Sequence, residues 1–570
     1  MPAKDIIEFV AYLVIIIPLA MLLGKYIAKL FSPCVNAKSK SCKILSSLEM
    51  LIHKISGIDK NKEQSWTEYL GSLLVFNLMG FLVFVLILLF QDKLPLNPMH
   101  FKGVNFVLAL NIAMSFVTNT NWQSYIPETT ISYFSQISGI VVQNFLSAAT
   151  GLAVLVALAR GLTSAGTGRL GNFYADLVKA VLYILLPLSF IVAIALVAQG
   201  VPQNFSEYLN IESINKLLPQ GPVASEVAIK QLGGNGGGVF AANSAHPFEN
   251  PTIISNLIEM LSIILLPMAL VFTFGSLLKD KRQGYTIFAT MLLLFVAGLF
   301  IALHSEYGAN HLLQAYSLPY ENATNMEGKE TRFSVGSSVF WSVATTATSN
   351  GSVNSMHDSF MPLSGLIQLF NIMLGEVVFG GVGSGIYGML IFIIFSVFIA
   401  GLMVGRTPEY LGKKIEAREI TLCIIGMLIA PIGILVFSAI SVMVKPGIAG
   451  IQEVGPHGLT ELLYAFASTT NNNGSAFAGF SANTNYYNLL TFITMLFGRF
   501  LFIGIILGIA GSLSRKNIVP TSNGTFPTHG LQFALLLAGM VLIIGGLTFL
   551  PVLVLGPVLE HITMLSSYAF

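Results

Sequence analysis

Long apolar runs alternate with short polar stretches along the whole chain. A helix needs about 20 apolar residues to cross the hydrocarbon core of a bilayer, and ten runs are long enough. They lie at residues 6–23, 70–90, 133–159, 175–198, 252–278, 285–303, 364–403, 418–441, 486–511 and 531–553. The pattern predicts an all-α polytopic membrane protein with about ten transmembrane helices.

Composition supports this prediction. Hydrophobic residues make up 54% of the 570 residues and charged residues only 10%, too few to cover the surface of a soluble fold. The net charge of +2 lacks the basic excess that nucleic-acid binding needs. Cys34, Cys42 and Cys423 form no Cys-x-x-Cys pair, so neither a disulfide framework nor a cysteine-based metal site is expected.

The positions of lysine and arginine predict the orientation. Cytoplasmic loops retain an excess of both residues. Of the 29 basic residues, 20 fall in alternate connections, at 24–69, 160–180, 279–283, 404–418 and 512–530. These connections should face the cytoplasm, and both termini should lie outside.

A polar cluster recurs in four of the outer connections. Its members are Thr118, Asn119, Thr120 and Asn121; Gly234, Asn235 and Gly236; Thr348, Ser349, Asn350 and Gly351; and Asn471, Asn472, Asn473 and Gly474. The last residues of successive clusters are 115, 115 and 123 positions apart. This spacing predicts four helix–pore loop–helix repeats, at 70–160, 175–283, 285–410 and 418–515, with an extra helix at each end, in 1–69 and 529–555.

Each cluster follows a semi-apolar stretch that is too short to span the membrane. Residues 337–347 and 461–470, for example, suit re-entrant half-helices. Non-helical backbone at membrane depth must be buried in protein or line a water-filled cavity. Four such loops in a pseudo-fourfold arrangement around one axis would form a pore, whereas any single cluster alone is also typical of an ordinary turn.

The chemistry of the clusters favours a monovalent cation. An alkali ion that leaves water loses hydration energy of the order of tens of kcal/mol unless other oxygens replace the water. Backbone carbonyls can do so, and glycine leaves room for an ion beside them. The segments 117–124, 231–241, 346–355 and 468–481 contain no Asp or Glu, although a divalent cation would favour carboxylates.

Several longer stretches carry a resemblance to a known family. They are Thr-Asn-Thr-Asn-Trp-Gln at 118–123, Asn-Gly-Gly-Gly at 235–238, Asn-Ser-Ala-His-Pro-Phe-Glu-Asn-Pro at 243–251, Thr-Ser-Asn-Gly at 348–351, Met-His-Asp at 356–358, Gly-Arg-Thr-Pro-Glu-Tyr-Leu-Gly-Lys-Lys at 405–414 and Asn-Asn-Asn-Gly-Ser-Ala-Phe at 471–477. Together they resemble the potassium-translocating A subunits of bacterial Kdp-type K+ pumps. These belong to the superfamily of K+ transporters that also contains the Trk, Ktr and HKT proteins.

The resemblance implies a K+-selective pore in the bacterial cytoplasmic membrane, attached to a P-type ATPase B subunit, a small C subunit and, in some pumps, a smaller F subunit. By the same resemblance, Asn119, Asn121 and Gln123 form the first filter segment, and Gly236, Gly351 and Gly474 are the filter glycines of the other three. Gly234 departs from the family pattern, which has a threonine at that position.

Two charged residues, Glu376 and Arg499, stand within apolar runs. Ionisable groups at that depth face a cavity or a partner. We expect Arg499 to obstruct a straight exit to the cytoplasm and Glu376 to line a sideways route, which the resemblance implies is a tunnel to the pump subunit. An ion pair for Arg499 and helix packing for Glu376 are the alternatives.

Glycines 380, 381 and 383 are part of a glycine-rich stretch inside the seventh run, at 375–385. So many glycines predict an interrupted helix near mid-membrane, and the resemblance implies that this segment gates the pore. Close packing of small residues is the competing interpretation.

The chain contains neither a Gly-x-x-x-x-Gly-Lys-Ser/Thr motif nor the Asp-Lys-Thr-Gly sequence that P-type pumps phosphorylate. We therefore expect no ATP hydrolysis by this chain and no bound nucleotide. Two other functions stay open: a stand-alone K+ channel or symporter of the Trk/Ktr type, and a polytopic membrane enzyme that uses His246, Glu249, His357 and Asp358.

Overall fold

The structure, a computed structural model, describes residues 3–32, 40–211, 216–308, 324–375, 377–520 and 525–566. The main helices are α1 (Ala3–Phe31), α2 (Lys40–Ile55), α3 (Trp66–Leu89), α4 (Phe106–Val117), α5 (Tyr133–Thr163), α6 (Phe173–Ala198), α7 (Val223–Leu232), α8 (Ile253–Leu277), α9 (Lys281–Glu306), α10 (Val335–Ala347), α11 (Pro362–Met373), α12 (Ser384–Val404), α13 (Ala417–Met443), α14 (Pro456–Thr470), α15 (Asn485–Ser514) and α16 (Leu531–Leu565). Shorter turns occupy Gln91–Lys93, Pro127–Thr130, Asn243–Ala245, His357–Ser359 and Lys445–Ile448.

Ten helices in the described ranges are long and apolar enough to cross a membrane: α1, α3, α5, α6, α8, α9, α12, α13, α15 and α16. They coincide with the ten apolar runs, so the predicted polytopic all-helical fold is confirmed at this level. Several helices extend beyond their runs: α1 ends at Phe31 and α16 at Leu565. An apolar run predicts the part of a helix that lies in hydrocarbon, while helical turns continue into polar surroundings.

The prediction of a purely helical chain needs one small correction. Two antiparallel hairpins occur outside the spanning helices, one pairing β1 (Leu209–Ile211) with β2 (Lys216–Leu218) and one pairing β3 (Glu409–Tyr410) with β4 (Lys413–Lys414). Strands of two or three residues give almost no periodicity in the sequence, because alternation becomes visible only over about four residues or more.

Four short helices, α4, α7, α10 and α14, precede the polar clusters. The half-helices expected at 337–347 and 461–470 are present, although each begins earlier, at Val335 and Pro456. Polar residues start some of them: Asn105 accepts a hydrogen bond from the Val107 amide at the start of α4. We call the side from which these helices enter the loop side.

The predicted break in the seventh apolar run is confirmed. Helix α11 ends at Met373 and α12 begins at Ser384, and the chain between them is not helical where it is described. Gly383, which precedes α12, has a φ of 90°. A Cβ at this position would overlap the backbone carbonyl of Gly151 in α5, so both the conformation and the close approach require glycine.

Helices α5 and α8 form the interior, whereas α1 and α3 turn most of their side chains outward. Small residues bring helices together: Gly161 of α5 lies against the backbone of Ala510 in α15, and Gly24 of α1 lies against Ala269 in α8. The outward side chains are largely apolar, so the molecule requires lipid around it.

Lys413 of strand β4 is fully buried and joins the ends of two central helices. Its ammonium group donates to the carbonyl oxygens of Gly161 (2.9 Å), Ser164 (2.5 Å) and Leu513 (2.6 Å). These carbonyls lie at the C-terminal ends of α5 and α15, where helix dipoles favour a positive charge. The side chain thereby fixes the β3–β4 hairpin under the bundle.

Replacing Lys413 with alanine should destabilise the protein, because three buried carbonyls lose their donor. Hydrogen bonds to a charged group suggest a loss of about 3 kcal/mol, measurable as a lower unfolding midpoint in detergent. Lys414→Ala is the matched control, since the Lys414 side chain is exposed. Equal stability of the two variants would contradict this role for Lys413.

Candidate functional site

The four polar clusters adopt the same unusual backbone geometry. Each short helix ends at a residue with ψ near zero: Thr118, Gly233, Thr348 and Asn471. The next residue has a positive φ, with 66° at Asn119, 58° at Gly234, 50° at Ser349 and 57° at Asn472. Two residues later φ is positive again, with 54°, 74°, 85° and 98° at Asn121, Gly236, Gly351 and Gly474. We call residues 118–123, 233–238, 348–352 and 471–475 loops 1 to 4.

The amide groups of each loop turn back toward its own helix. In loop 2 the amides of Asn235 and Gly236 both donate to the carbonyl of Lys230, at 3.0 and 3.2 Å. In loop 1 the amides of Thr120 and Asn121 both donate to the Ser115 carbonyl, and in loop 3 the Asn350 amide donates to the Thr345 carbonyl. In loop 4 the Asn473 amide donates to the Ser468 carbonyl and the Gly474 amide to the Ser468 hydroxyl. Alternation of left- and right-handed conformations lets these amides face one way and the carbonyls another.

The carbonyl oxygens of the loops consequently lack donors. Within the described residues, those of 118–121, 233–236, 348–351 and 471–474 accept no hydrogen bond, except at Gly234 and Gly236. All of these residues are buried except Gly474, which is half-buried. Because buried backbone carbonyls are almost always paired in proteins, so many unpaired ones on neighbouring loops indicate a place for water or a cation.

Loop 1 contacts loop 2 through side chains. The amides of Asn119, Asn121 and Gln123 donate to the carbonyl oxygens of the residues at 234 (2.7 Å), 236 (2.7 Å) and 238 (3.0 Å). Donor and acceptor are 115 positions apart in every case, which is the repeat length. Each of these side chains therefore binds its own counterpart in the next loop.

The remaining contacts between loops are made by backbone. A Cβ at Gly236 would overlap the Asn350 carbonyl, one at Gly351 the Asn473 carbonyl, and one at Gly474 the Thr120 carbonyl. Loop 2 thus touches loop 3, loop 3 touches loop 4, and loop 4 touches loop 1. Two amide side chains add bonds across these contacts: Asn473 donates to Thr345 at 3.0 Å, and Asn472 donates to Thr120 Oγ1 at 2.9 Å.

The electrostatics around the loops favour a cation. The C-terminal ends of all four short helices point at the loops, and these ends carry the negative pole of the helix dipole. Lys230, in the helix that precedes loop 2, is fully buried and forms an ion pair with Glu249. The ion pair removes a positive charge that would otherwise repel a cation.

The non-helical segment between α11 and α12 contacts the C-terminal end of α10 and loop 2. The Gly380 amide donates to Ala347, the last residue of α10, at 3.2 Å. The Asn471 side chain of loop 4 donates to Ile372, near the end of α11, at 2.8 Å. Gly381 approaches loop 2, with its Cα 3.9 Å from a Cβ built on Gly234. Glu376 lies outside the described residues.

Arg499 of α15 lies in the same region and is buried. Its guanidinium donates to the Ser147 carbonyl of α5 at 3.3 Å, and the described part of the chain gives it no carboxylate partner. Arg499 lines a cavity whose wall also includes Thr470, Asn471 and Asn472 of the fourth repeat, and Gly375 of the non-helical segment. The cavity therefore lies beside loop 4 and has a guanidinium group in its wall.

Three of the four residues of the enzyme hypothesis have separate structural partners, and the fourth, Asp358, pairs with His457. Glu249 binds Lys230, His246 stacks on Phe240 with 3.9 Å between ring centroids, and His357 Nδ1 lies 3.0 Å from the Tyr464 hydroxyl. Burial, followed by the charge of Lys329, lowers the pKa of His357 to about 3, so its ring is neutral. Both histidines therefore contact residues in the segments beside the loops.

Sequence reasoning missed three residues of this region. Gly233 occupies the same position as Thr118, Thr348 and Asn471, and the repeat length of 115 could have identified it. On α5, Ser147 donates to Asn119 Oδ1 at 2.8 Å, and Asn144 accepts from Asn121 at 2.9 Å. Their only signal in the sequence is polarity within an apolar run.

Comparison with known proteins gives the family of this chain. A family model described as Potassium-transporting ATPase A subunit matches residues 10–562. The chain belongs to this family. Relatives named potassium-transporting ATPase potassium-binding subunit include those of Rhodospirillum centenum, 51% identical over 100% of this chain and 99% of the relative, and Pseudomonas aeruginosa, 50% identical over 99% and 100%. That of Pseudomonas fluorescens strain Pf0-1 is 53% identical over 91% and 93%.

Gly351→Ala should disrupt the ring of loops, because the added methyl group would overlap the Asn473 carbonyl. We expect K+ affinity, measured by isothermal titration of the purified chain, to fall about tenfold or more, equivalent to about 1.4 kcal/mol. Gly405→Ala is the matched control: Gly405 also has a positive φ, 71°, but nothing lies within 4 Å of its Cβ position.

The control should lose only the strain of a left-handed alanine, about 1 kcal/mol of stability, and keep its K+ affinity. If Gly351→Ala binds K+ as the control does, loops 3 and 4 do not need their close contact for binding.

Proposed function

We propose that this chain is the K+-binding and translocating, channel-like subunit of an ATP-driven K+ uptake pump with high affinity. The proposal rests on one observation above all: buried loop carbonyls without donors, on four loops that contact one another in sequence. The relatives' names specify potassium as the ion. The loops would surround one pore with pseudo-fourfold symmetry, as the centres of the four repeats.

Backbone carbonyls of the four loops would bind dehydrated K+ in a selectivity filter. Its residues would be Thr118, Asn119, Thr120, Asn121 and Gln123; Gly234, Asn235 and Gly236; Thr348, Ser349, Asn350 and Gly351; and Asn471, Asn472, Asn473 and Gly474. Carbonyl dipoles held at fixed spacing can replace the hydration shell of an alkali ion. The absence of carboxylates in these segments suits a monovalent ion, since fixed anions would retain divalent cations.

Gating would occur directly below the filter. Gly380, Gly381 and Gly383 belong to the non-helical segment that contacts α10 and loop 2, so a shift of this segment would open or close the inner end of the pore. Arg499 would repel K+ from a straight path to the cytoplasm. Glu376, whose charge attracts cations, would line a sideways path toward the pump subunit.

The energy would come from a P-type ATPase B subunit, with a small C subunit and, in some pumps, an F subunit. The complex would lie in the bacterial cytoplasmic membrane, with the N- and C-termini of this chain outside. In this arrangement the chain supplies selectivity and the partner supplies ATP hydrolysis. A channel or symporter of the Trk/Ktr type would share the filter but would need no partner.

Purification from the native membrane in mild detergent distinguishes these functions. An ATPase subunit should accompany this chain, and micromolar to millimolar K+ should stimulate its ATP hydrolysis in a saturable way. Na+ at the same concentrations should not. A chain that purifies without an ATPase, yet conducts K+ when reconstituted alone, would support the channel and refute the pump.

Gly236→Asp tests the filter itself. The aspartate would displace the Asn350 carbonyl and add a negative charge to a loop that has none. We expect the K+ concentration for half-maximal ATPase stimulation to rise about tenfold or more, equivalent to about 1.4 kcal/mol, and Rb+ and Na+ to become effective. Gly57→Asp is the control, because Gly57 also has a positive φ but open space around it. Unchanged ion selectivity of Gly236→Asp would remove loop 2 from the filter.

A further inference from the structure

A second cluster of charged groups lies on the loop side, away from the unpaired carbonyls. Asp358 follows loop 3 in the turn His357–Ser359, and His457 and Glu461 lie one turn apart at the start of α14. One potential ligand atom from each of these three residues lies within 4.8 Å of the other two. The proposed transport of K+ uses none of these groups.

Glu461 is the unusual member of the cluster. Its side chain is fully buried, and its Oε1 has no hydrogen-bond partner. This oxygen points toward Asp358, because a Cβ added at Gly479 would contact both Glu461 Oε1 and Asp358 Oδ2. Two carboxylates thus face each other over a space that a cation would stabilise.

His457 offers a nitrogen to the same space. Its Nε2 lies 3.0 Å from Asp358 Oδ1, and its Nδ1 lies 2.9 Å from Glu560 Oε1. A carboxylate on the far nitrogen is the arrangement that orients histidine ligands in metal sites, since it fixes the proton on that nitrogen and leaves the other for the metal. A protonated ring alone would satisfy Asp358 and Glu560 but leave Glu461 Oε1 without a partner.

We propose that Asp358, His457 and Glu461 bind a divalent transition-metal ion, of which Zn2+ fits best, with Glu560 orienting His457. One imidazole nitrogen and two carboxylate oxygens are a ligand set that Zn2+ accepts, and water completes the tetrahedron. Ligand bonds of about 2.0–2.2 Å require the three groups to move closer together. The side chains of Asp358 and His457 are 12% and 21% exposed, which gives the ion access from the loop side.

The site would connect three parts of the chain: the segment after loop 3, the helix before loop 4, and the end of α16. A kink at Gly556 brings this end against α14, where a Cβ at Gly556 would lie 2.7 Å from Thr460 Oγ1. Farther along α14, Tyr464 hydrogen-bonds to His357 and to Ser475 beside Gly474. Bound metal would therefore stabilise the surroundings of loops 3 and 4.

Metal titration of the full-length chain tests this proposal. After treatment with EDTA and gel filtration in detergent, the chain should bind one Zn2+ and unfold at a higher temperature with Zn2+ than without it. Co2+ should give the intense visible absorption of a four-coordinate site. Absence of stoichiometric binding, or a weak octahedral Co2+ spectrum, would overturn the proposal and favour a proton-only cluster. Neither result depends on K+ transport.

Variants assign the ligands. His457→Gln and Glu461→Gln should weaken Zn2+ binding about 100-fold or more because each removes a direct ligand, and Glu560→Gln should weaken it about 10- to 100-fold through the orientation of His457. The controls are His100→Gln and Glu453→Gln, which change exposed side chains and should bind like the unmodified chain. If the controls weaken binding as much as the cluster variants, the site is not at these residues. Should a cluster variant fail to fold, the Co2+ spectrum of the unmodified chain still decides the outcome.

Discussion

Buried carbonyl oxygens with no donor constrain the rest of this structure. The loops obtain them by turning amides back onto the preceding helix, as Asn235 and Gly236 do with the carbonyl of Lys230. That geometry needs left-handed residues at alternate positions, which explains why Gly, Asn and Ser occur there. It also needs a helix that ends directly before each loop, as α4, α7, α10 and α14 do. Leaving such oxygens unpaired is costly unless a cation or water occupies the space they face.

Close contact between loops makes this arrangement rigid. Three contacts are backbone to backbone, at Gly236, Gly351 and Gly474, and no side chain fits between them. The contact between loops 1 and 2 differs, because Asn121 stands where the others have glycine. Its amide donates to Gly236 and to Asn144, so a side chain fills a gap that backbone closes elsewhere. The four loops are therefore equivalent in backbone conformation, but different groups hold them together.

Charges near the loops are paired or kept at a distance. Lys230 is neutralised by Glu249, and Gln231 and Ser244 both donate to Glu259, a buried acid in α8, at 2.7 Å. Arg499 is the exception, since only a backbone carbonyl is its partner among the described residues. This guanidinium lines the cavity beside loop 4, where it would repel a cation.

The sequence by itself determined the number of spanning helices, the four clusters and the break before Ser384. These features follow from local properties: apolar length, turn-forming residues and runs of glycine. Only the tertiary structure decided which loops touch each other and that the side chains of Asn119 and Asn121 donate to residues 115 positions away. It alone also brought Asp358, His457, Glu461 and Glu560 together. They depend on how segments separated by about a hundred residues pack against each other, and no local pattern records that packing.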